Sequence, residues 1–181
     1  YDPNLTSPTY NQWTWMNGPS AIKQSGVYGV QGTPSPANHP GSRGRGAITW
    51  TDASGNFWLF GGLGWNGGTE LNDLWKYDPN PISSTYNLST WMGGPNTWSP
   101  APGSYGVKGV SNATNLHPSR YETSCSWTDN AGNLWLYGGT TGGGNYGDLW
   151  KYDVSSNEWT WMHGANTLNP AAVYGTQGTA A

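Results

Sequence analysis

Charge and cysteine are both scarce in this chain of 181 residues. Asp, Glu, Lys and Arg together make up 9% of the sequence, and Cys125 is the only thiol. A single cysteine excludes a disulfide within the chain and a metal site built from several cysteines. The seven basic residues are scattered singly, so no cluster could neutralise successive phosphates, and we expect no nucleic-acid partner. No apolar run approaches the roughly 18 residues that span a bilayer, so we expect no membrane span either.

Glycine and aromatic residues are abundant instead. The chain has 28 Gly, 13 Pro and 13 Trp, and its net charge is −3. Frequent Gly and Pro mark turns and aromatic residues favour strands, so this composition predicts an all-β fold of short strands. The chain starts at Tyr1 and shows no signal peptide. We therefore expect a mature product, a proteolytic fragment or the ordered part of a longer protein.

An internal repeat organises the sequence. The run Leu74–Asp78 returns 75 residues later as Leu149–Asp153, and the doublet Gly61-Gly62 returns as Gly138-Gly139. The period of about 69 to 78 residues predicts two units of four strands each. We expect Gln12–Met16 to be a lone fourth strand from a preceding unit, which makes nine strands in all. The other expected strands are Ala47–Trp50, Phe57–Phe60, Asp73–Tyr77, Ser89–Met92, Thr123–Trp127, Leu134–Tyr137, Asp148–Tyr152 and Glu158–Met162.

The first two strands of each unit are joined by a short loop, residues 52–56 and 129–133, that is rich in Asp, Asn and Gly. These residues supply local side-chain hydrogen bonds and positive φ angles, so they predict a tight hairpin. A calcium loop is the alternative interpretation, but the further carboxylates that a calcium site needs are missing from both loops.

Several of the repeated residues resemble the Kelch family of β-propellers. Arg43 and Arg120 precede the first strand of each unit, and the glycine doublets close the second strands. A Tyr on the third strand and a Trp on the fourth follow, as Tyr152 and Trp159 do at close spacing. The resemblance covers nearly the whole chain. It implies four-stranded propeller blades, about two and a half of them in this chain.

Three departures from the Kelch pattern set this chain apart. The His that often follows the Arg is replaced by Gly46 in one unit and Thr123 in the other, and an insertion separates Tyr77 from Trp91. The loop between units is also long, at about 30 residues. The resemblance is thus to a bacterial-type, long-loop variant. The segments it implies are the last strand of a preceding blade plus a long loop (1–46), a blade (47–92), an inter-blade loop (93–122), a second blade (123–162) and the start of another long loop (163–181).

The resemblance also raises an enzyme as the alternative, because galactose oxidase, a copper enzyme acting on sugars, belongs to the same superfamily. Its site needs a tyrosine crosslinked to a cysteine, together with further Tyr and His ligands. Cys125 aligns with the apolar Ile48, so we expect a buried, inert thiol. His39 and His117 repeat each other, which favours a structural role in anchoring the long loops. No acid–base pair, metal cluster or nucleophile motif is recognisable, so we expect no catalytic residue, metal or cofactor.

Most tryptophans recur at equivalent positions, and we expect them in the core, since both faces of a propeller blade pack on neighbouring blades. This expectation covers Trp13, Trp15, Trp50, Trp58, Trp75, Trp91, Trp98, Trp127, Trp135, Trp150, Trp159 and Trp161.

Trp65 has no counterpart, and it lies in the loop between strands two and three that differs most between the units. We expect Trp65, Asn66, Glu70 and Tyr146 to form a ligand site, in which an aromatic ring stacks on a sugar and polar groups hydrogen-bond to it. The alternative is that Trp65 folds over the edge of its own unit as a plug.

These features together predict a non-catalytic recognition or assembly module that is extracellular or at the cell surface. Sequons at Asn4, Asn87 and Asn112 are candidate glycosylation sites and agree with secretion. Two and a fraction units cannot close a ring of four or more blades. We therefore expect the partners to be other copies of the chain or the remaining blades of a longer one, with a glycan or protein as a possible ligand; three copies would supply about seven blades.

Overall fold

In the part of the chain that the structure describes, eight strands lie in two four-stranded antiparallel sheets. The computed structural model describes residues 1–65, 68–97, 101–122 and 124–179. Sheet I has the strand order β1-β2-β3-β4, and sheet II repeats it as β5-β6-β7-β8. The described residues contain no helix that could cross a membrane. The strands are β1 Ile48–Thr51, β2 Phe57–Phe60, β3 Leu74–Tyr77, β4 Ser89–Gly93, β5 Cys125–Thr128, β6 Leu134–Thr141, β7 Gly144–Asp153 and β8 Glu158–His163.

The all-β prediction is confirmed, and the strands of both units lie where the repeat predicts them. Six of these eight strands begin and end within two residues of their expected bounds. The exceptions are β6 and β7, which extend into a hairpin because Thr140 pairs with Asn145 and Thr141 with Gly144. Thr123, the expected start of the fifth strand, lies outside the described residues.

The segment Gln12–Met16 forms no strand, so the prediction of a ninth strand is wrong. A strand needs a neighbour to take up its backbone hydrogen bonds. No segment among the described residues pairs with Trp13–Met16. Trp13 and Trp15 are consequently exposed, which corrects their assignment to the core.

The tight hairpins between the first two strands of each unit are confirmed. The Asp52 carboxylate accepts hydrogen bonds from the backbone N–H groups of Ser54 and Asn56, each at 2.9 Å, and from the Trp58 indole at 2.8 Å. Asp129 makes the same three kinds of bond in the second unit. N–H donors thus surround the carboxylate that a calcium loop would direct toward a cation.

The core lies between the two sheets. The Trp50 indole donates a 2.9 Å hydrogen bond to the Trp135 carbonyl, and the Trp58 ring lies 5.4 Å from the Tyr152 ring. Each large apolar side chain buried in this way stabilises the fold by roughly 1.5–3 kcal/mol. The buried cluster consists of Ile48, Trp50, Trp58, Phe60 and Leu74 from sheet I and Leu134, Leu136, Trp150, Tyr152 and Trp159 from sheet II.

The far side of sheet II exposes two side chains that were expected in the interior, Trp127 and Cys125, which corrects both expectations. Ile48, the counterpart of Cys125, is buried because sheet II lies against it. Among the described residues no third sheet lies against sheet II in the same way. Trp98 falls outside the described residues.

Candidate functional site

Each long loop is fixed to the sheet that follows it by an arginine bound to a buried aspartate. In the second unit Arg120 and Asp148 are both completely buried and form two hydrogen bonds of 2.9 and 3.0 Å. The Tyr105 hydroxyl and the Trp150 indole also donate to this carboxylate, at 2.6 and 2.8 Å. Arg120 donates further to the Gly138 carbonyl of the glycine doublet at 2.6 Å. We call this arrangement the arginine clamp.

The first unit contains the same clamp. Arg43 binds Asp73 through two bonds of 2.9 and 2.8 Å, and Tyr28 and Trp75 donate to the same carboxylate at 2.9 and 2.7 Å. Arg43 also donates to the Gly61 carbonyl at 2.8 Å. The repetition assigns a structural role to both clamps: they hold the loop, the glycine doublet and the third strand together.

The clamps perturb the ionisation of their members. Burial opposes the charge on Asp148, but the hydrogen bonds and charge of Arg120, with Tyr105 and Trp150, outweigh it and keep the pKa of Asp148 below its ordinary value. Burial and the neighbouring aspartate raise the pKa of Tyr105 well above its usual range. Tyr105 therefore stays protonated and serves as a donor.

The repeated histidines lie in the same long loops. His117 is fully buried, with its ring 4.1 Å from the Phe60 ring and 4.4 Å from the Trp159 ring. Burial, followed by the charge of Arg120, lowers its pKa to about 3. His39 is partly buried and pairs through its backbone with Val27 across its loop. The His117 ring thus packs against strand residues of both sheets, whereas His39 pairs within its own loop.

The expected ligand residues lie at the edge where the loops between the second and third strands meet. Glu70 is buried, and its two oxygens accept hydrogen bonds of 2.5 Å from the Thr141 hydroxyl and 2.6 Å from the Gly142 N–H. Glu70 therefore joins the loop of sheet I to the β6–β7 hairpin of sheet II. Trp65 is partly exposed beyond the bridge between Leu63 and Glu70, and Asn66 lies outside the described residues.

Tyr146 lies on the β6–β7 hairpin, and its ring packs 4.6 Å from the Arg120 guanidinium. Burial raises the pKa of Tyr146, the Arg120 charge opposes this, and the charges of Asp148 and Glu70 add to the increase. The charge of Glu70 therefore acts on the Tyr146 hydroxyl at the junction of the two units.

A cavity of about 930 Å³ adjoins this junction and was not anticipated from the sequence. It lies between the β6–β7 hairpin and the segment that follows β8. The sequence does indicate that the segment after β8 repeats the long loop of the first unit, since Tyr174-Gly175 follows β8 as Tyr105-Gly106 follows β4. The lining includes Lys108, Tyr137, Tyr146, His163, Asn169 and Tyr174.

The three sequons lie in different settings. The side-chain oxygens of Asn4 and Asn112 accept hydrogen bonds from the hydroxyls of Thr6 and Thr114 at exposed positions. Asn87 is partly buried, and its side chain accepts a 2.8 Å bond from the Tyr77 hydroxyl.

Three kinds of candidate side chain have thus been placed: the clamps and histidines in the long loops, Glu70 and Tyr146 at the junction, and Trp65 at a loop tip. Among the residues that the structure describes, no three His, Cys, Asp or Glu side chains form a group that could hold a metal ion. No model of a known protein family matches the chain, and no curated protein matches it.

Proposed function

We propose that the two sheets are successive blades of a propeller-like array resembling the Kelch propellers. The four strands of each sheet follow one another in order, which is the blade pattern. The same arginine clamp, hairpin and glycine doublet recur in both units, so each unit repeats one structural solution. The two sheets also stack against each other, with β1 beside β5.

Within this architecture we propose a non-catalytic recognition or assembly module that acts outside the cell or at its surface. The observation that carries the proposal is the use of the buried carboxylates. Each of them accepts hydrogen bonds from the chain itself, so each serves the scaffold. They are Asp52, Glu70, Asp73, Asp78 and Asp148.

The recognition surface proposed is the loop edge where the two units meet. Loops on a rigid scaffold commonly carry binding function, because they vary without disturbing the core. Here Glu70 fixes one loop to the neighbouring hairpin, while Trp65 offers part of its indole to solvent and Tyr146 lies on that hairpin. A partly exposed indole at this loop edge suits stacking on a sugar ring, so we propose a glycan as the ligand, with a protein surface as the other candidate.

The test is a comparison of two tryptophan variants on a panel of immobilised polysaccharides. Trp65→Ala should lose binding with an unchanged melting temperature, whereas Trp13→Ala, at an exposed position away from this loop edge, should keep both. A lowered melting temperature with intact binding would show that Trp65 is a packing residue. If the unmodified chain binds no polysaccharide on the panel, the glycan assignment is wrong.

A further inference from the structure

The two sheets of this chain present different faces to each other. Sheet I contributes the face that carries Trp50 and Trp58, here called its tryptophan face. Sheet II contributes the face that carries Trp150 and Tyr152, here called its tyrosine face. Each sheet has a tryptophan face on one side and a tyrosine face on the other. The contact joins the tryptophan face of sheet I to the tyrosine face of sheet II, so it is head-to-tail.

Both unused faces are partly exposed to solvent. On the tryptophan face of sheet II, Trp127 is 44% exposed, whereas its counterpart Trp50 is 5% exposed. On the tyrosine face of sheet I, Phe57 is 52% exposed, whereas its counterpart Leu134 is fully buried. A groove of about 490 Å³ runs along this second face and is lined by Phe57 and Tyr77, among others.

The unused faces carry nearly the same residues as the faces that are already packed. On the tryptophan faces, Trp127, Trp135 and Leu149 repeat Trp50, Trp58 and Leu74. The tyrosine faces share Leu59 with Leu136, Trp75 with Trp150 and Tyr77 with Tyr152, in the same strand register. The chain therefore contains both halves of an interface that it has already formed once.

We propose that the tryptophan face of sheet II docks on the tyrosine face of sheet I in a second copy of this chain. The inference rests on the blade-like stacking proposed above and names the partner for it. A contact between two different surfaces of identical chains is heterologous, so it can continue from copy to copy until a ring closes.

The packed interface predicts the contacts of the new one. Trp50 donates to the Trp135 carbonyl, so Trp127 should donate to the carbonyl of the partner's Trp58. Trp58 packs on Tyr152, so Trp135 should enter the groove beside the partner's Tyr77.

The N-terminal segment must move aside when the copies dock. Trp15-Met16 is the sequence counterpart of Trp161-Met162 in β8. In the docked pair, the partner's N-terminal segment and the β8 strand of this chain would therefore occupy the same position, that of the fourth strand in the sheet that packs on the partner's sheet I. The structure leaves this segment unpaired, with Trp13 and Trp15 exposed, so its displacement breaks no sheet.

Light scattering on two charge variants tests the proposal. Tyr137→Asp alters the tryptophan face of sheet II, and Phe57→Asp alters the tyrosine face of sheet I. Each should weaken self-association by about 10-fold or more, since each puts a charge into an apolar contact. Ile82→Asp, at an exposed loop position away from both faces, should leave association unchanged.

Mixing the two variants gives the decisive result. Each variant keeps the face that the other has lost, so the mixture should form 1:1 dimers that grow no further. If Phe57→Asp has no effect while Tyr137→Asp abolishes association, the contact joins two like faces and the proposal is wrong. A monodisperse monomer of 19.5 kDa for the unmodified chain would also overturn it.

Cys125 provides a second readout that needs no variant. It is exposed in the single chain, yet its counterpart Ile48 is buried in the packed interface. Its rate of maleimide labelling should therefore fall as protein concentration rises; a constant rate would contradict docking at this face. Polysaccharide binding through Trp65 is measured separately, so failure of the docking and failure of the proposed recognition function are distinguishable.

Discussion

Mild acid should destabilise this fold through one buried histidine. His117 lies among the rings of Phe60, Trp150 and Trp159, at 4.1, 5.9 and 4.4 Å. Burial lowers its pKa to about 3, and the charge of Arg120 acts in the same direction. The carbonyl of Pro118 and the charge of Asp148 oppose this shift but do not cancel it. The folded state therefore holds a neutral His117 throughout the mildly acidic range.

The sign and size of the effect follow from proton linkage. In the unfolded chain the pKa of His117 is about 6.5, so below that pH only the unfolded state takes up the proton. The contribution to stability is complete above pH 6.5 and falls by about 1.4 kcal/mol per pH unit between 6.5 and 3. Going from pH 7 to pH 5 should cost about 2 kcal/mol, a large part of the 5–15 kcal/mol typical of a domain.

Urea unfolding followed by tryptophan fluorescence at pH 7, 6 and 5 measures this slope. The variant His117→Phe keeps an aromatic ring in place but cannot titrate, so its stability should lose the pH dependence that His117 causes. His39→Phe, the matched change in the first unit, should retain the slope because His117 is still present. If the free energy of unfolding falls equally between pH 7 and pH 5 in the unmodified chain and in His117→Phe, the reasoning is refuted.

Two further substitutions test the clamp and the backbone. Asp148→Asn leaves the buried Arg120 charge without its partner and should lower the free energy of unfolding by about 3–5 kcal/mol. Glu122→Gln, in the exposed pair with Arg45, should lower it by at most about 1 kcal/mol. Similar losses in both variants would contradict the role assigned to the clamp. Gly94→Ala places a Cβ 1.7 Å from the carbonyl oxygen of Asn72 at φ +78° and should cost more than about 2 kcal/mol in urea unfolding, while Gly93→Ala, with open space around it, should stay within about 0.5 kcal/mol.

The strands could be predicted from the sequence because the repeat aligns each one with a second example. The strand that the repeat predicts at Asp73–Tyr77 begins at Leu74, and the one predicted at Phe57–Phe60 has those bounds. The extension of β6 and β7 could not be identified in this way. Thr140, Thr141 and the following glycines have no apolar alternation, and their pairing runs through a tight reversal in which Thr141 lies opposite Gly144.

The clamps could be predicted only in part. The sequence places Arg43 and Arg120 ahead of the first strands, but it does not indicate their aspartate partners. Asp73 follows Arg43 by 30 residues and Asp148 follows Arg120 by 28, so no local pattern connects the two charges. The exposure of Cys125 could not be predicted either, because it depends on what packs against sheet II rather than on the residues around Cys125.

The first sixteen residues contain one element that depends on local side chains and one that depends on a distant strand. Residues 1–16 are the counterpart of residues 77–92, and their turn folds in the same way. The Tyr1 hydroxyl donates to the Asn11 side chain at 3.0 Å as Tyr77 does to Asn87 at 2.8 Å, and both asparagines have a φ of 62°. The strand after the turn forms only in the copy that has a neighbouring strand. The turn is encoded by its own side chains, whereas the strand requires a partner, so a repeat in the sequence predicts the turn more securely than the sheet.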